Sequence, residues 1–160
     1  MANAEIISIG SELLLGQIMD TNASWMTQRL TDLGVNLFYK TVVGDNPDRM
    51  AEVIERALER SDIVITGGGL GPTQDDITRE VVAQVTNRKL VKEPELVLQL
   101  QERFQKRGMI MTLNNERQAF ISEGSIIVNN PNGTAPSFIV EDPRAAIFTL
   151  PGVPFEMKWL

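Results

Sequence analysis

The sequence predicts an α/β domain, specifically a three-layer α/β/α sandwich whose sheet is mostly parallel. Short apolar runs alternate three times with segments that carry apolar residues at helical spacing. Two further strand-like runs near the C-terminus are separated by four polar residues, which is typical of an antiparallel hairpin. The 160 residues suit one domain that buries about two thirds of its unfolded surface.

Local signals place the elements of the first half of the chain. Gly34 follows a helical pattern as a C-terminal glycine does, and Asn46 with Pro47 supplies an N-cap followed by a first-turn proline. The predicted elements are a strand over Ala4–Ile9, a helix from Asp20 or Thr21 to about Leu33, a strand over Val35–Val43, a helix after Pro47 and a strand over Asp62–Thr66.

The second half is predicted in the same way. The expected elements are a helix from about Asp75, another from near Pro94, a short helical piece over Asn114–Ile121, and hairpin strands over Ser137–Val140 and Ala145–Leu150. A new helix begins where the chain stops, at Phe155–Leu160. We therefore expect residues 1–160 to be one domain taken from a longer protein.

Composition narrows the possible chemistry. The chain contains no histidine and no cysteine. This excludes a disulfide framework, a thiol nucleophile, a Ser-His-Asp triad and a zinc site built from His and Cys. Catalysis would have to use carboxylates, hydroxyls, Lys or Arg, backbone N–H groups or a bound cation.

Charge and hydropathy narrow the possible partners. The formal net charge is −6 and there is no basic run, so we do not expect nucleic-acid binding. No apolar run approaches the roughly 20 residues of a membrane helix, and the N-terminus lacks the basic start of a signal peptide. The sequence therefore predicts a soluble, cytoplasmic protein with a small-molecule partner.

The most informative segment is a glycine-rich loop after the third strand, Gly67-Gly68-Gly69-Leu70-Gly71-Pro72. Ligands of open α/β sheets bind beyond the carboxyl ends of the strands, and such a loop can cradle a phosphate. It matches neither a P-loop, since Pro72-Thr73 follows the last glycine, nor a dinucleotide fingerprint, since Gln74 replaces its last glycine. A tight strand-to-helix turn is the alternative.

Carboxylates surround this loop. Asp75 and Asp76 would repel an anionic ligand unless a divalent cation such as Mg²⁺ lay between them, so both are candidate catalytic residues. The alternative for Asp76 is a capping box with Thr73. Glu12 and Asp45 follow the first two strands and could converge on the same site. Alternatively, Glu12 is a solvated loop residue and Asp45 only helps to form the turn before Pro47.

Small and polar residues of the other loops complete the candidate site. The segments Asn130–Pro136 and Leu150–Pro154 are rich in proline, glycine and asparagine, so they could be plain turns or could bring backbone N–H groups to a phosphate. The candidate binding residues are Gly10, Ser11, Glu12, Asn22, Asp45, Gly68, Gly69, Gly71, Thr73, Gly133, Thr134 and Gly152.

These motifs together resemble one family. They are Ile9-Gly10-Ser11-Glu12-Leu13-Leu14-Leu15-Gly16 with Asp20-Thr21-Asn22, Val43-Gly44-Asp45, Gly68-Gly69-Leu70-Gly71-Pro72-Thr73 with Asp75-Asp76-Ile77-Thr78, Asn130-Pro131 with Gly133-Thr134-Ala135-Pro136, and Leu150-Pro151-Gly152-Val153-Pro154 with Glu156-Met157. In this order they resemble the N-terminal domain of CinA-like (competence/damage-inducible) proteins, which share the molybdopterin-binding fold of MogA, MoeA and gephyrin.

The resemblance implies a metal-dependent ADP-ribose pyrophosphatase that releases AMP and ribose 5-phosphate. For the wider superfamily it implies binding of molybdopterin or its adenylylated form at the glycine loop. The acidic residues of the superfamily's loops fall on Asp76 and Asp45, which the resemblance makes the candidate metal ligands. The chain departs from the family at Gly67, where a threonine is usual, and at Ser137, where glycine is frequent.

Three functional hypotheses follow. The first is a divalent-metal-dependent pyrophosphatase acting on ADP-ribose or a related nucleotide diphosphate. The second is a domain that binds molybdopterin or a nucleotide without turning it over. The third is a domain whose main role is oligomerisation within a longer protein. We expect a homo-oligomer, with a nucleotide or pterin as the ligand.

Overall fold

The computed structural model describes residues 1–160. Its strands are β1 (Asn3–Ile9), β2 (Asn36–Val43), β3 (Ile63–Gly67), β4 (Leu90–Lys92), β5 (Phe120–Ser122), β6 (Ile126–Val128), β7 (Ser137–Glu141) and β8 (Ala146–Leu150). Its helices are α1 (Ser11–Leu14), α2 (Thr21–Asp32), α3 (Pro47–Arg60), α4 (Thr78–Val85), α5 (Pro94–Lys106), α6 (Leu113–Glu116) and α7 (Pro154–Trp159). A short 3₁₀ turn over Arg117–Ala119 follows α6.

Six strands form the main sheet in the order β2-β1-β3-β8-β7-β6. The first four are parallel to one another, and β7 and β6 then run antiparallel to their neighbours. A separate antiparallel pair, β4-β5, lies outside this sheet. The C-terminal hairpin β7-β8 is confirmed, and its second strand lies directly beside β3. The loops after β1, β3 and β8 therefore share one edge of the sheet.

Apolar side chains cover both faces of the sheet. Ile7 and Ile9 belong to a core of 22 buried residues that also includes residues of α3, α4 and α5. Ile6 belongs to a smaller core of 7 buried residues, formed with α2 and α7. Successive strand residues point to opposite faces, so these odd and even positions of β1 fill different cores. This arrangement confirms the three-layer α/β/α architecture.

The predicted helix starts are confirmed in the first half of the chain. The Asp20 carboxylate accepts a hydrogen bond from the Ala23 N–H at 2.9 Å and so caps α2. The Asn46 side chain accepts from the Arg49 N–H at 3.0 Å, and Pro47 is the first residue of α3. Both helices begin near the carboxyl ends of the parallel strands.

Three expectations for the second half need correction. The helix expected from Asp75 begins at Thr78, because the preceding residues form a separate turn. Strands β4, β5 and β6 were not predicted, since three residues are too few to show a period. The helical piece expected over Asn114–Ile121 ends earlier, at the 3₁₀ turn, and continues as β5.

None of the helices is both long enough and apolar enough to cross a membrane.

Candidate functional site

An open cleft lies at the carboxyl ends of β1, β3 and β8. It has a volume of about 540 Å³. Its lining residues are Ile9, Gly10, Glu12, Asp45, Gly68, Gly69, Leu70, Gly71, Pro72, Thr73, Asp75, Asp76, Gln118, Thr134, Ala135, Pro151, Gly152, Val153 and Glu156. The loops that follow β1, β2 and β3 all contribute, as expected from the sequence.

The backbone of the loop after β3 requires glycine at two positions. Gly68 has φ +109°, and a Cβ there would collide with the Ile9 carbonyl oxygen. Gly69 has φ +67°, and a Cβ there would collide with the Thr78 hydroxyl. The chain therefore turns tightly between the end of β3 and the start of α4.

Side chains and backbone of α4 hold the loop carbonyls on the side away from the cleft. The Thr78 hydroxyl donates to the Gly68 carbonyl at 2.8 Å, and the Thr78 N–H donates to the Gly69 carbonyl at 3.2 Å. The Arg79 guanidinium donates to the carbonyl of Leu70, and to that of Gly71 at 3.4 Å. Three successive loop carbonyls, 68 to 70, thus have partners from one helix start.

The same geometry leaves three backbone N–H groups free. A trans peptide directs its C=O and N–H to opposite sides, and the chain has no cis peptide bond. The N–H groups of Gly69, Leu70 and Gly71 therefore point away from Thr78 and Arg79, and none of them has a hydrogen-bond partner. Consecutive free N–H groups in a loop can together bind an anion such as phosphate.

Arg79 is the most unusual residue of the site. Only 1% of it is exposed, and it forms no ion pair with an acidic side chain. Burial lowers the pKa of Arg79 to about 10, although the charges of Glu80 and Asp76 oppose this shift. A positive charge is thus buried directly beneath the glycine loop.

Two of the candidate carboxylates are held in place by hydroxyl groups. One oxygen of Asp76 accepts from the Thr73 N–H at 2.9 Å and the Thr73 hydroxyl at 2.5 Å. One oxygen of Asp45 accepts from the Ser11 N–H at 2.9 Å and the Ser11 hydroxyl at 2.8 Å. In each case the second carboxylate oxygen accepts no hydrogen bond. The turn between Thr73 and Asp76 does form, but it ends before α4 and so does not cap that helix.

The other two candidate carboxylates, Glu12 and Asp75, line the cleft without hydrogen bonds of their own. Asp75 lies before the helix rather than in its first turn, so it has no capping role. No group of three or more acidic side chains lies close enough together to hold a metal ion. The convergence expected of Glu12, Asp45, Asp75 and Asp76 is therefore a shared cleft and not one cluster.

Some of the remaining candidate residues line the cleft and others do not. Thr134 and Gly152 line it, and Gly152 approaches Gly68 closely, since a Cβ on Gly152 would lie 3.5 Å from the Gly68 Cα. Ser11, Asn22 and Gly133 do not line it. Asn22 donates to the Gly152 carbonyl at 2.8 Å, and Gly133 accepts from Arg103, so both support neighbouring loops.

Four site residues were missed at the sequence level. Gln118 donates to the Leu70 carbonyl at 3.4 Å, and its own carbonyl oxygen is buried without a partner. Arg117 donates to the Thr73 carbonyl at 2.9 Å and pairs with Glu80. Glu156 and Arg79 complete the group. Only Glu156 carried a signal, since it follows the Leu150–Pro154 loop by two positions.

Comparison with known proteins identifies the class. The family model described as "Probable molybdopterin binding domain" matches residues 5–159. The chain is also similar to the molybdopterin biosynthesis enzyme MoaB from Thermus thermophilus, with a TM-score of 0.65, 20% identity, and coverage of 99% of this chain and 86% of that one. At this identity the likeness supports the fold alone.

Other relatives show to which group within this family the chain belongs. The crystal structure of the protein CinA from Thermoplasma acidophilum matches with a TM-score of 0.91 and 34% identity, covering 99% of this chain and 92% of that chain. The CinA-like protein of Dictyoglomus thermophilum is 48% identical over 153 residues, and that of Trichormus variabilis is 49% identical over 156 residues. The chain belongs to the molybdopterin-binding domain family and, within it, to the CinA-like proteins.

The curated relatives are longer than this chain. The match covers 96% of this chain and 37% of the Dictyoglomus protein, and 97% of this chain and 38% of the Trichormus protein. The resemblance therefore concerns one part of those proteins.

Proposed function

We propose that the cleft binds the diphosphate of a nucleotide and, with a divalent metal ion, hydrolyses ADP-ribose to AMP and ribose 5-phosphate. The observation that carries this proposal is the row of three free N–H groups at Gly69, Leu70 and Gly71, which lines the same cleft as five separate carboxylates. N–H groups bind phosphate and carboxylates bind metal ions. A cleft that contains both therefore suits a metal–phosphate complex better than it suits a phosphate or a metal ion alone.

The free N–H groups supply the anion site. Each can donate one hydrogen bond to a phosphate oxygen, and hydrogen bonds to a charged acceptor are stronger than neutral ones. The orientation is present before any ligand arrives, because Thr78 and Arg79 already hold the carbonyls. Binding therefore requires little reorganisation of the loop, which favours affinity.

The carboxylates suit a metal that is shared with the ligand. Mg²⁺ is usually held by one or two carboxylates together with ligand phosphates and water, so a cluster of three is not required. Asp45 and Asp76 each have one oxygen that accepts from a hydroxyl and a second oxygen without a hydrogen bond, so each offers one free ligand atom. These free oxygens are of the type that a divalent ion prefers, and we propose Asp45 and Asp76 as its ligands. Such an ion, when bound, would neutralise diphosphate charge and lower the pKa of a bound water.

The chain's own groups account for the remaining chemistry. Water attacks one phosphorus of ADP-ribose, its oxygen forms a new P–O bond, and the P–O bond to the bridging oxygen breaks. AMP and ribose 5-phosphate are the two products, and the proton lost by water passes to a carboxylate. Asp75 is suited to this role because it lines the cleft and has no other hydrogen bond.

The test is hydrolysis of ADP-ribose, followed by chromatography of AMP, with Mg²⁺ and with a chelator. We expect turnover only with metal, and a loss of at least about a hundredfold in Asp76→Asn, the size of effect seen when one positioned catalytic group is removed. Asp32→Asn is the matched control, because Asp32 is exposed at the far end of α2. Unchanged turnover in Asp76→Asn would exclude that residue, and metal-independent turnover would exclude the mechanism.

A second candidate is binding of a pterin or nucleotide without turnover. The absence of any cluster of three acidic side chains favours this candidate, since the separate carboxylates of the cleft offer few ligands to a catalytic metal. Calorimetric binding of AMP or ADP-ribose with no hydrolysis under Mg²⁺, Mn²⁺ or Co²⁺ would select this candidate. Hydrolysis with any of these ions selects the first.

A further inference from the structure

We propose that Arg79 is a positioning residue that turns the Gly71 N–H toward the cleft and contributes its positive charge to binding of the anion. This inference rests on the proposed anion site but goes beyond it. Arg79 itself does not line the cleft, so it would act through the peptide groups that lie between it and the ligand.

The fold maintains Arg79 at a cost. The residue is 1% exposed, no acidic side chain forms an ion pair with it, and its Nε has no hydrogen-bond partner. A buried charge without a counter-ion destabilises a protein, because water solvates the ion better in the unfolded chain. Groups kept in a costly environment beside a cleft are candidates for a functional role.

The contacts of Arg79 show what the residue provides. Its two terminal nitrogens donate to the carbonyls of Leu70 and Gly71. Without them, nothing except Gln118 at 3.4 Å holds the Leu70 carbonyl on the far side of the loop. The Leu70–Gly71 peptide could then rotate, and a carbonyl oxygen would face the anion in place of the Gly71 N–H.

The surroundings keep the charge of Arg79 effective. Asp76 and Glu80 are the acidic groups whose charges act on it, and Arg117 is the neighbouring basic group. Glu80 pairs with Arg117, and one oxygen of Asp76 accepts from Thr73, so neither neutralises Arg79 directly. Because little water screens a buried charge, its field reaches the anion across the loop.

Two variants separate the hydrogen bonds from the charge. Arg79→Gln retains a donor but removes the charge, and Arg79→Lys retains the charge but loses the two-nitrogen fork. Arg88→Gln is the matched control, since Arg88 also donates to two main-chain carbonyls, those of Glu123 and Glu141, away from the cleft. Circular dichroism and thermal unfolding identify any variant that does not fold.

The probe is AMP, whose affinity is measured by calorimetry from pH 5.5 to 8. Its phosphate gains a second negative charge around pH 6. We expect affinity for the wild-type chain to rise with pH. In Arg79→Gln we expect affinity about tenfold lower at pH 8 and a flatter rise. Arg79→Lys should keep the rise at reduced affinity.

The outcomes distinguish the role of Arg79 from the existence of the anion site. A flatter pH profile in Arg79→Gln, partial rescue in Arg79→Lys and an unchanged Arg88→Gln support the inference, since a merely structural role would not alter the pH profile. Affinity and profile equal to wild type in folded Arg79→Gln overturn it and leave the anion site standing. Failure of the wild-type chain to bind AMP at any pH overturns the anion site as well.

Discussion

Removal of the Arg60 side chain should destabilise the chain strongly, although Arg60 lies far from the cleft. Glu5 in β1 is 0% exposed, and its carboxylate is held by Arg60 at 2.9 and 2.8 Å and by the Thr41 hydroxyl at 3.1 Å. The Arg60 guanidinium also lies 3.6 Å from the centre of the Tyr39 ring. Arg60→Met would leave a buried carboxylate with only a hydroxyl as its partner.

The size of the effect follows from this burial. Removing one partner of a buried pair costs about 3 to 5 kcal/mol, and we expect about 3 because 38% of the Arg60 side chain is exposed. For a domain of this length that corresponds to a fall in Tm of about 10 °C. Urea unfolding, followed by circular dichroism, measures the free energy. The double variant Glu5→Gln with Arg60→Met should recover part of the loss, because no charge is then buried alone.

The control is Arg56→Met. Arg56 pairs with Glu52 at 2.9 Å, but the two side chains are 68% and 44% exposed, so we expect a loss of less than about 1 kcal/mol. If Arg60→Met cost no more than Arg56→Met, the reasoning from burial would be refuted. Recovery in the double variant is the second requirement, since a general packing defect at Arg60 would not be relieved by neutralising Glu5.

Three further predictions concern the loop and a distant ion pair. Gly69→Ala should weaken AMP binding at least about tenfold in calorimetry, because a side chain at φ +67° strains the loop and collides with Thr78; unaltered affinity would contradict this. Gly67→Thr should fold and bind AMP as the wild type does, because a Cβ there would lie in ordinary van der Waals contact, 3.8 Å from the Met26 side chain. A gain in affinity would show instead that the family threonine contacts phosphate. In Asp142→Asn we expect a stability loss of about 1 kcal/mol at pH 7. Arg144 lowers the pKa of Asp142, so this stabilisation is complete above the ordinary value of 3.8 and is lost as pH falls further. In urea unfolding, the difference in free energy of unfolding between wild type and Asp142→Asn should therefore be smaller at pH 3 than at pH 7. An equal difference at both pH values would refute this prediction.

Much of the fold could be predicted because its signals are local. The starts of α2 and α3 depend on a capping side chain a few residues away, and the strands of the main sheet that were predicted carry continuous apolar runs. The three-residue strands β4, β5 and β6 were missed because each depends on a partner strand for its structure. The start of α4 was placed three residues early, since the Thr73–Asp76 turn looks like a helix cap in sequence.

The candidate site shows the same division. Glycine spacing and acidic residues after strand ends indicated the loop and its carboxylates, and most of them line one cleft. Arg79 could not be recognised, because an arginine within an amphipathic helix is ordinarily solvated. In the folded chain Arg79 is buried and shares the Leu70 carbonyl with Gln118, which lies 39 residues further along the chain.

By itself the sequence determined the order of the longer strands and helices and the chemical groups that could serve at the sheet edge, because capping, turn and periodic signals act over a few residues. The absence of histidine and cysteine limited those groups to carboxylates, hydroxyls, basic side chains and backbone N–H groups. Only the tertiary structure decided that β8 lies beside β3, that the carboxylates share a cleft without forming one cluster, and that Arg79 is buried under the glycine loop. These features arise from contacts between distant segments, and the direction of a peptide N–H depends on what holds its carbonyl.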